Sequence, residues 1–206
     1  MGAVGATPLY VRPDFLDPAA CRRVRKAMDR GIAEPAEVFA PDVTLNVAAR
    51  RASSVDIDAV TLEAVEVKLD AARDVIAAYY NLSLVAREGP GFLRYGPGGF
   101  YRRHRDRAVD AAWPGAAQRL ISLVVFLNSS RSGSAGGGFS GGELLIFPES
   151  PHEAAMPDAI HVAPRQGTLV AFHAATVHEV RPVGGGMRDV IVDWYYGPAE
   201  TGRYQR

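Results

Sequence analysis

Two rhythms of apolar and polar positions divide this chain. Across residues 56–80, Leu62, Val65, Leu69, Val75, Ile76 and Tyr79 recur near helical spacing with charged residues between them, which predicts a long amphipathic helix. Ahead of it, Asp17 can cap a helix whose first turn takes Pro18 and whose apolar positions include Val24 and Met28. Gly31 and Pro35 then break the pattern, and residues 38–51 fit neither rhythm. After Asn81 the texture changes. Short runs rich in apolar and β-branched residues, at 82–86, 91–95, 120–127, 144–147, 168–173 and 190–195, are separated by turns bearing Gly and Pro. A mainly helical first part, 1–81, followed by a strand-rich core over 82–197 predicts an α+β fold: a barrel or sandwich braced by N-terminal helices. One low-complexity stretch, 129–142 (SSRSGSAGGGFSGG), reads as a mobile connector between two strands, or as a lid if it stands at a barrel mouth.

Composition narrows the class. With 206 residues and 48% apolar content, a single domain spanning 1–206 is expected. The 23 basic and 23 acidic residues balance, which argues against a dedicated nucleic-acid binder. One cysteine, Cys21, lies in the first predicted helix and reads as a small buried side chain rather than a reactive thiol. No stretch approaches the roughly 20 apolar residues of a membrane span, and residues 1–7 lack the basic region of a signal peptide. A cytoplasmic protein with no membrane or nucleic-acid partner is the resulting expectation.

The candidate chemistry is concentrated in Tyr95-Gly96-Pro97-Gly98-Gly99-Phe100-Tyr101-Arg102-Arg103-His104-Arg105-Asp106. If 104–106 is extended, residues two apart face the same side, so imidazole and carboxylate converge on one ion. A third donor must come from a distant strand. His178 follows the apolar run Gly167-Thr168-Leu169-Val170-Ala171-Phe172, where a strand would end and deliver it. Two histidines and one carboxylate on one face of an octahedral metal are the arrangement of non-haem Fe(II) oxygenases; three positions stay open, two for a chelating 2-oxo acid and one for O2. Taken singly, a His-x-Asp triplet arises often by chance, and a lone histidine is more often a satisfied structural residue.

A metal-bound 2-oxo acid adds a second demand, because its far carboxylate must be neutralised inside an apolar barrel. Arginine suits the task, since its planar fork makes two parallel hydrogen bonds to a carboxylate. A turn over Pro182-Val183-Gly184-Gly185-Gly186 would fold the last strand back beside the run before His178 and carry Arg188 to the metal's depth. Considered without the three candidate ligands, Arg188 reads rather as a solvated arginine after a turn.

Five motifs then fall in order: Tyr95 through Asp106, Phe126-Leu127-Asn128, Gly141-Gly142-Glu143-Leu144, Gly167 through Phe172, and His178-Glu179-Val180 through Arg188. Together they resemble the catalytic domain of the prolyl 4-hydroxylase-like group of Fe(II)/2-oxoglutarate dioxygenases, over about residues 82–197. The opening Phe15-Leu16-Asp17 also looks like the usual start of this domain. The resemblance implies a double-stranded β-helix, or jelly-roll, barrel with supporting helices. It implies His104, Asp106 and His178 as iron ligands, and Arg188 with the Tyr95 hydroxyl as the grip on the far carboxylate of 2-oxoglutarate. Tyr101 and Trp194 become candidates for the substrate pocket, although packing alone explains Tyr101 equally well. Gly142 and Glu143 are assigned to a turn and strand start rather than to chemistry. His173 sits five residues early and is set aside as a ligand; His152 and His161 read as bystanders.

The implied function is a hydroxylase that couples decarboxylation of 2-oxoglutarate to oxidation of an unactivated C–H bond, using Fe(II) and O2, in a group also associated with L-ascorbic acid. Its substrate would be a prolyl residue of a peptide, a free or carrier-bound amino acid, or a related small molecule. Retention of Asp106 favours hydroxylation over halogenation. Arg103, Arg105 and Arg107 alternate with the ligands and should face away from them. Two other classes compete. A cupin-like metalloprotein with a different reaction would have no need of Arg188 and Tyr95; a non-catalytic binding module on the same fold would have no need of an intact ligand set.

Overall fold

The computed structural model describes residues 9–36, 48–107, 114–131, 138–148 and 159–198. In chain order, the first part holds β1 (Tyr10–Arg12), α1 (Pro18–Arg30), β2 (Ala33–Pro35), β3 (Arg50–Arg51), β4 (Ser53–Val55) and α2 (Ala59–Tyr80). The middle holds β5 (Ala86–Arg87), β6 (Gly91–Tyr95), β7 (Phe100–His104), α3 (Pro114–Gln118), β8 (Arg119–Phe126), β9 (Phe139–Gly141) and β10 (Leu144–Phe147). The last part holds β11 (Ile160–Val162), β12 (Leu169–His173), β13 (Val177–Val180), β14 (Val183–Gly186) and β15 (Arg188–Tyr196).

Strands pair antiparallel into an 8-stranded sheet, β1-β12-β8-β15-β6-β4-β2 with β5 on β15, and a 5-stranded sheet, β11-β10-β13-β7-β3; β14 and β9 form a separate pair. The fold is the expected double-stranded β-helix. Why strands such as β8 read as unbroken apolar runs is explained by what covers them. Ile121, Leu123 and Val125 pack against α1 and α2 residues such as Met28 and Leu69. Val124 and Phe126 point the other way, into a second core shared with Leu144, Ile146 and Val180 of the small sheet. A strand covered on both faces loses its polar alternation.

The helices form as their ends dictate. The Asp17 carboxylate accepts from the Ala20 N–H at 2.7 Å, and Pro18 occupies the first turn, where no amide donor is needed. Gly31 ends α1 because the chain crosses Asp56 there: a Cβ at position 31 would sit 1.8 Å from the Asp56 carbonyl oxygen. α2 starts at Ala59, later than the apolar pattern indicates, because Asp58 caps it by accepting from the Thr61 N–H at 2.9 Å. Its buried stripe is Val65, Leu69, Ala72, Ile76 and Tyr80. Val75 and Tyr79, assigned above to the apolar face, are instead 51% and 48% exposed. The spacing 65, 69, 72, 76, 80 follows the helical repeat, and 75 and 79 fall one position off it. Complete burial of Leu69 and Ile76 contributes about 1.5–3 kcal/mol each.

Three further differences bear on the site. The first part of the chain is not purely helical, since β1, β2 and β4 extend the large sheet and β3 the small one. These strands have two or three residues, too short for periodicity to register. Of the run 82–86 only Ala86 is in a strand. The Gly/Ser-rich stretch is more than a connector at its end, where Phe139–Gly141 pairs with β14 and Phe139 is fully buried; its remainder over 132–137, like residues 1–7, His152 and most of 38–51, lies outside the described residues.

Cys21 is completely buried, and burial pushes its thiol up to about 11, with Asp17 adding to the shift. At pH 8 roughly one molecule in a thousand carries the reactive thiolate. Iodoacetamide is therefore expected to leave Cys21 unmodified in the native protein and to alkylate it after denaturation; rapid native labelling by mass spectrometry would contradict this packing.

Candidate metal centre

β7 and β13 are neighbours in the small sheet, and their register sets His104 directly opposite His178. The third donor enters differently from the sequence expectation. β7 ends at His104, and Asp106 sits in the bend that follows, where the Asp106 and Arg107 amides both donate to the Ala174 carbonyl, at 3.0 and 2.9 Å. His178, likewise, is not at the end of the strand holding Phe172. The chain turns after His173, and His178 lies within the next strand, β13.

The donor atoms of His104, Asp106 and His178 lie within 4.8 Å of one another. His104 Nε2 stands 3.4 Å from Asp106 Oδ1, and His178 Nε2 stands 3.5 Å from Asp106 Oδ2. Both imidazoles are oriented through their other nitrogen. His104 Nδ1 is 2.7 Å from the Arg102 carbonyl, and His178 Nδ1 is 3.0 Å from the Thr176 carbonyl. A carbonyl can only accept, so Nδ1 carries the proton and Nε2 presents a lone pair to the cluster. Burial pushes His178 down to about 4, so at neutral pH it is already in the ligating form. Burial opposes the charge on Asp106; in the metal-free cluster a proton on the facing His178 or His104, together with the Ser122 hydroxyl, holds its carboxyl well below the usual range, and the metal takes the place of that proton. Two imidazoles and one carboxylate, aimed at one point and fixed from behind, fit a divalent iron ion.

One cavity joins this cluster to Arg188, Tyr95, Tyr101 and Trp194. The Tyr101 ring stacks on His104 with centroids 3.5 Å apart. Arg188 is 1% exposed, and among the described residues its guanidinium has a single hydrogen-bond acceptor, the Gly142 carbonyl, 2.9 Å from Nε. Burial lowers its pKa to about 10, which leaves it cationic at neutral pH. Gly142, placed outside the chemistry by the sequence argument, thus orients the arginine. The neighbouring strand also differs from expectation: β15 does not lie beside β12, because β8 stands between them. Arg188 reaches the cavity by parity, sharing its face with Val190, Val192 and Trp194, while Asp189, Ile191 and Tyr195 face the helices.

Sequence reasoning missed two polar neighbours. Ser122 donates to Asp106 Oδ2 at 2.6 Å. It is the one polar residue in the run 120–127 and has the inward parity of Val124 and Phe126, a signal that was available. Arg119 pairs with Glu88, lies 3.8 Å over the Trp194 ring and donates to the Asp106 carbonyl at 3.2 Å. Nothing local marks it. The remaining basic residues behave as expected: Arg103 pairs with Glu179 at 3.1 Å, Arg105 bonds the Ala175 carbonyl and Arg107 the Ala117 carbonyl. His173 rests edge-on against Tyr80, away from the cluster, and His161 is exposed on the edge strand β11.

The family model of the 2OG-Fe(II) oxygenase superfamily matches residues 90–196, the stretch that contains every group of this cavity's metal cluster and Arg188. The chain belongs to this superfamily. Membership brings Fe(II), 2-oxoglutarate and O2 to a site whose donor set fits them. A PKHD-type hydroxylase of Nitrobacter winogradskyi is 33% identical over 109 residues, 51% of this chain and 42% of that protein. One from Stenotrophomonas maltophilia is 35% identical over 107 residues, 51% of this chain and 41% of its own length. The chain thus spans less than half the length of these curated relatives. Among solved structures, a Pseudomonas putida prolyl-4-hydroxylase superposes with a TM-score of 0.70 at 25% identity, covering 94% of both chains. A Trichoplax adhaerens prolyl hydroxylase, solved with a hypoxia inducible factor peptide fragment, shares the fold with a TM-score of 0.67 at 20% identity, over 91% of this chain and 83% of that one. The chain is a prolyl 4-hydroxylase-like member of the superfamily. Among the described residues, no helix is long and apolar enough to cross a membrane.

Proposed function

We propose that this chain acts as one catalytic domain, an Fe(II)- and 2-oxoglutarate-dependent hydroxylase of an unactivated C–H bond. Its substrate class is a prolyl residue in a peptide, a free or carrier-bound amino acid, or a related small molecule. The observation that carries the reading is a buried guanidinium with no carboxylate partner among the described residues, in the same cavity as two imidazoles and a carboxylate turned toward one point. Leaving such a charge unpaired is costly, and a dicarboxylate held at the cluster would pair it.

His104, Asp106 and His178 hold the metal on one face and leave its other positions to ligands. When bound, iron with 2-oxoglutarate and O2 supplies an oxidant strong enough to take hydrogen from carbon, with succinate and CO2 as coproducts. The chain's own groups position and protect. Ser122 and the two backbone carbonyls keep the three ligand side chains from rotating. Arg188 receives the far carboxylate as a bidentate pair, with the Tyr95 hydroxyl as second donor. Leu93, Val124, Leu144, Val180 and Val190 exclude water between them. Tyr101 and Trp194 give the substrate pocket its aromatic walls, the latter carrying Arg119 on its face.

Succinate release is the direct test. It should require Fe(II), rise with added substrate and be measured with and without ascorbate across proline-containing peptides and free amino acids. Absence of iron-dependent succinate across that panel would sink the proposal. Tyr95→Phe removes one hydroxyl donor and keeps the ring, which lies 5.0 Å from the Arg188 guanidinium. A rise of about three- to tenfold in the 2-oxoglutarate requirement is expected, the net scale of one ordinary hydrogen bond, since Arg188 keeps the principal contact. No change would leave Tyr95 a packing residue only.

A further inference from the structure

We propose that Asn128 is the positioning residue for Arg188, its side-chain amide standing in for a strand peptide and fixing the backbone on both sides of the arginine. The inference rests on the reading that Arg188 binds the far carboxylate of 2-oxoglutarate.

The ladder between β8 and β15 pairs Phe126 with Val190, and one further bond follows, from the Leu127 N–H to the Asp189 carbonyl at 3.0 Å. There the β8 backbone leaves. The next groups on that edge of β15 are the Asp189 N–H and the Met187 carbonyl, and both are met by one side chain. Asn128 Oδ1 accepts from the Asp189 N–H at 3.0 Å, and Asn128 Nδ2 donates to the Met187 carbonyl at 2.7 Å. Of the protein side chains, only an amide offers a donor and an acceptor side by side with peptide geometry. Asn128 is 5% exposed, so water does not compete for these bonds.

What lies between the two bonded residues is Arg188. Its other edge is paired to Tyr95 of β6, so Asn128 completes the hold on this segment. The side chain beyond is equally confined. The Gly142 carbonyl takes Nε, and a Cβ at position 142, where φ is +69°, would lie 2.9 Å from Arg188 Cδ. The Tyr95 and Phe126 rings lie 5.0 and 5.4 Å from the guanidinium carbon. A long side chain amplifies backbone error. A tilt of roughly 10° at Cα moves the guanidinium by about 1 Å, enough to spoil two-pronged contact with a carboxylate.

The test compares 2-oxoglutarate with 2-oxovalerate, which replaces the far carboxylate by a methyl group. Equilibrium binding of each acid to the Mn(II)-loaded full chain is followed by calorimetry, with metal affinity and melting temperature measured alongside. Asn128→Ala should weaken 2-oxoglutarate about tenfold while 2-oxovalerate and Mn(II) change less than about twofold, so that discrimination between the acids falls. Asn128→Asp keeps the acceptor for the Asp189 N–H and loses the donor to the Met187 carbonyl, so a smaller loss in the same sense is expected. Arg188→Ala is the reference. If it too keeps full discrimination, the reading of Arg188 is wrong. If it loses discrimination while a folded Asn128 variant retains it, or weakens both acids equally, the positioning role alone fails. Failure of both Asn128 variants to fold would also overturn it, because Asn128 would then serve the fold at large.

Discussion

His104→Ala and Asp106→Ala are each expected to leave a folded protein that no longer retains Fe(II) and whose succinate release falls by a factor on the order of a thousand or more. Each variant removes one of three donors gathered within 4.8 Å, and no other described group of three or more His, Cys, Asp or Glu residues has such spacing. The two variants should differ in detail. His104→Ala also removes the ring on which Tyr101 stacks, so the pocket wall loosens with the metal site. Asp106→Ala leaves the Ser122 hydroxyl without its acceptor and removes the anion between two imidazoles, while the Asp106 backbone bonds to Ala174 and Arg119 remain. Circular dichroism should therefore be near native in both. Metal analysis of purified variants together with succinate assays decides the matter: full activity in either, at native iron content, would show that the cluster is not the reaction centre.

Arg188→Ala should act on the cosubstrate instead. We expect the 2-oxoglutarate requirement to rise at least about thirtyfold, with Fe(II) affinity and turnover at saturating cosubstrate much less affected. A buried, hydrogen-bonded charge pair is worth about 2–5 kcal/mol when one partner is truncated, and no described carboxylate contacts the guanidinium to compete with the cosubstrate for it. Arg188→Lys should recover part of the loss, because lysine restores the charge without the two-pronged geometry. Unchanged cosubstrate affinity in Arg188→Ala would refute the assignment and return Arg188 to a structural role.

These outcomes follow from features of unequal visibility in the chain. The start of α1 was legible because its cap is local, Asp17 and Pro18 acting within one turn of where they stand, whereas Gly31 marks the end in the sequence for a reason that is not local, the close approach of Asp56. The strands β6, β10, β12 and β15 were legible because burial demands apolar residues wherever they pair. The side-chain directions on α2 were only half legible, since Val75 and Tyr79 are apolar yet exposed. Ser122 could have been found by parity within its strand. Asn128, Gly142 and Arg119 could not be assigned roles, because their partners are 59, 46 and 31 residues away or carry no chemical signature of their own.

By itself, the sequence determined the residue types the chemistry requires and the order in which they occur: two histidines, an aspartate and an arginine on the apolar frame of a jelly roll. Tertiary structure decided that His104 faces His178 across a strand pair, that Asp106 swings in from a bend, and that Arg188 sits buried with no carboxylate partner among the described residues. The physical reason is range. Capping, periodicity and turn chemistry act over a few residues and leave their mark on neighbouring letters, whereas register between β7 and β13, or between β8 and β15, is set by how whole sheets pack, and any residue on the inward face can be brought to the centre by it.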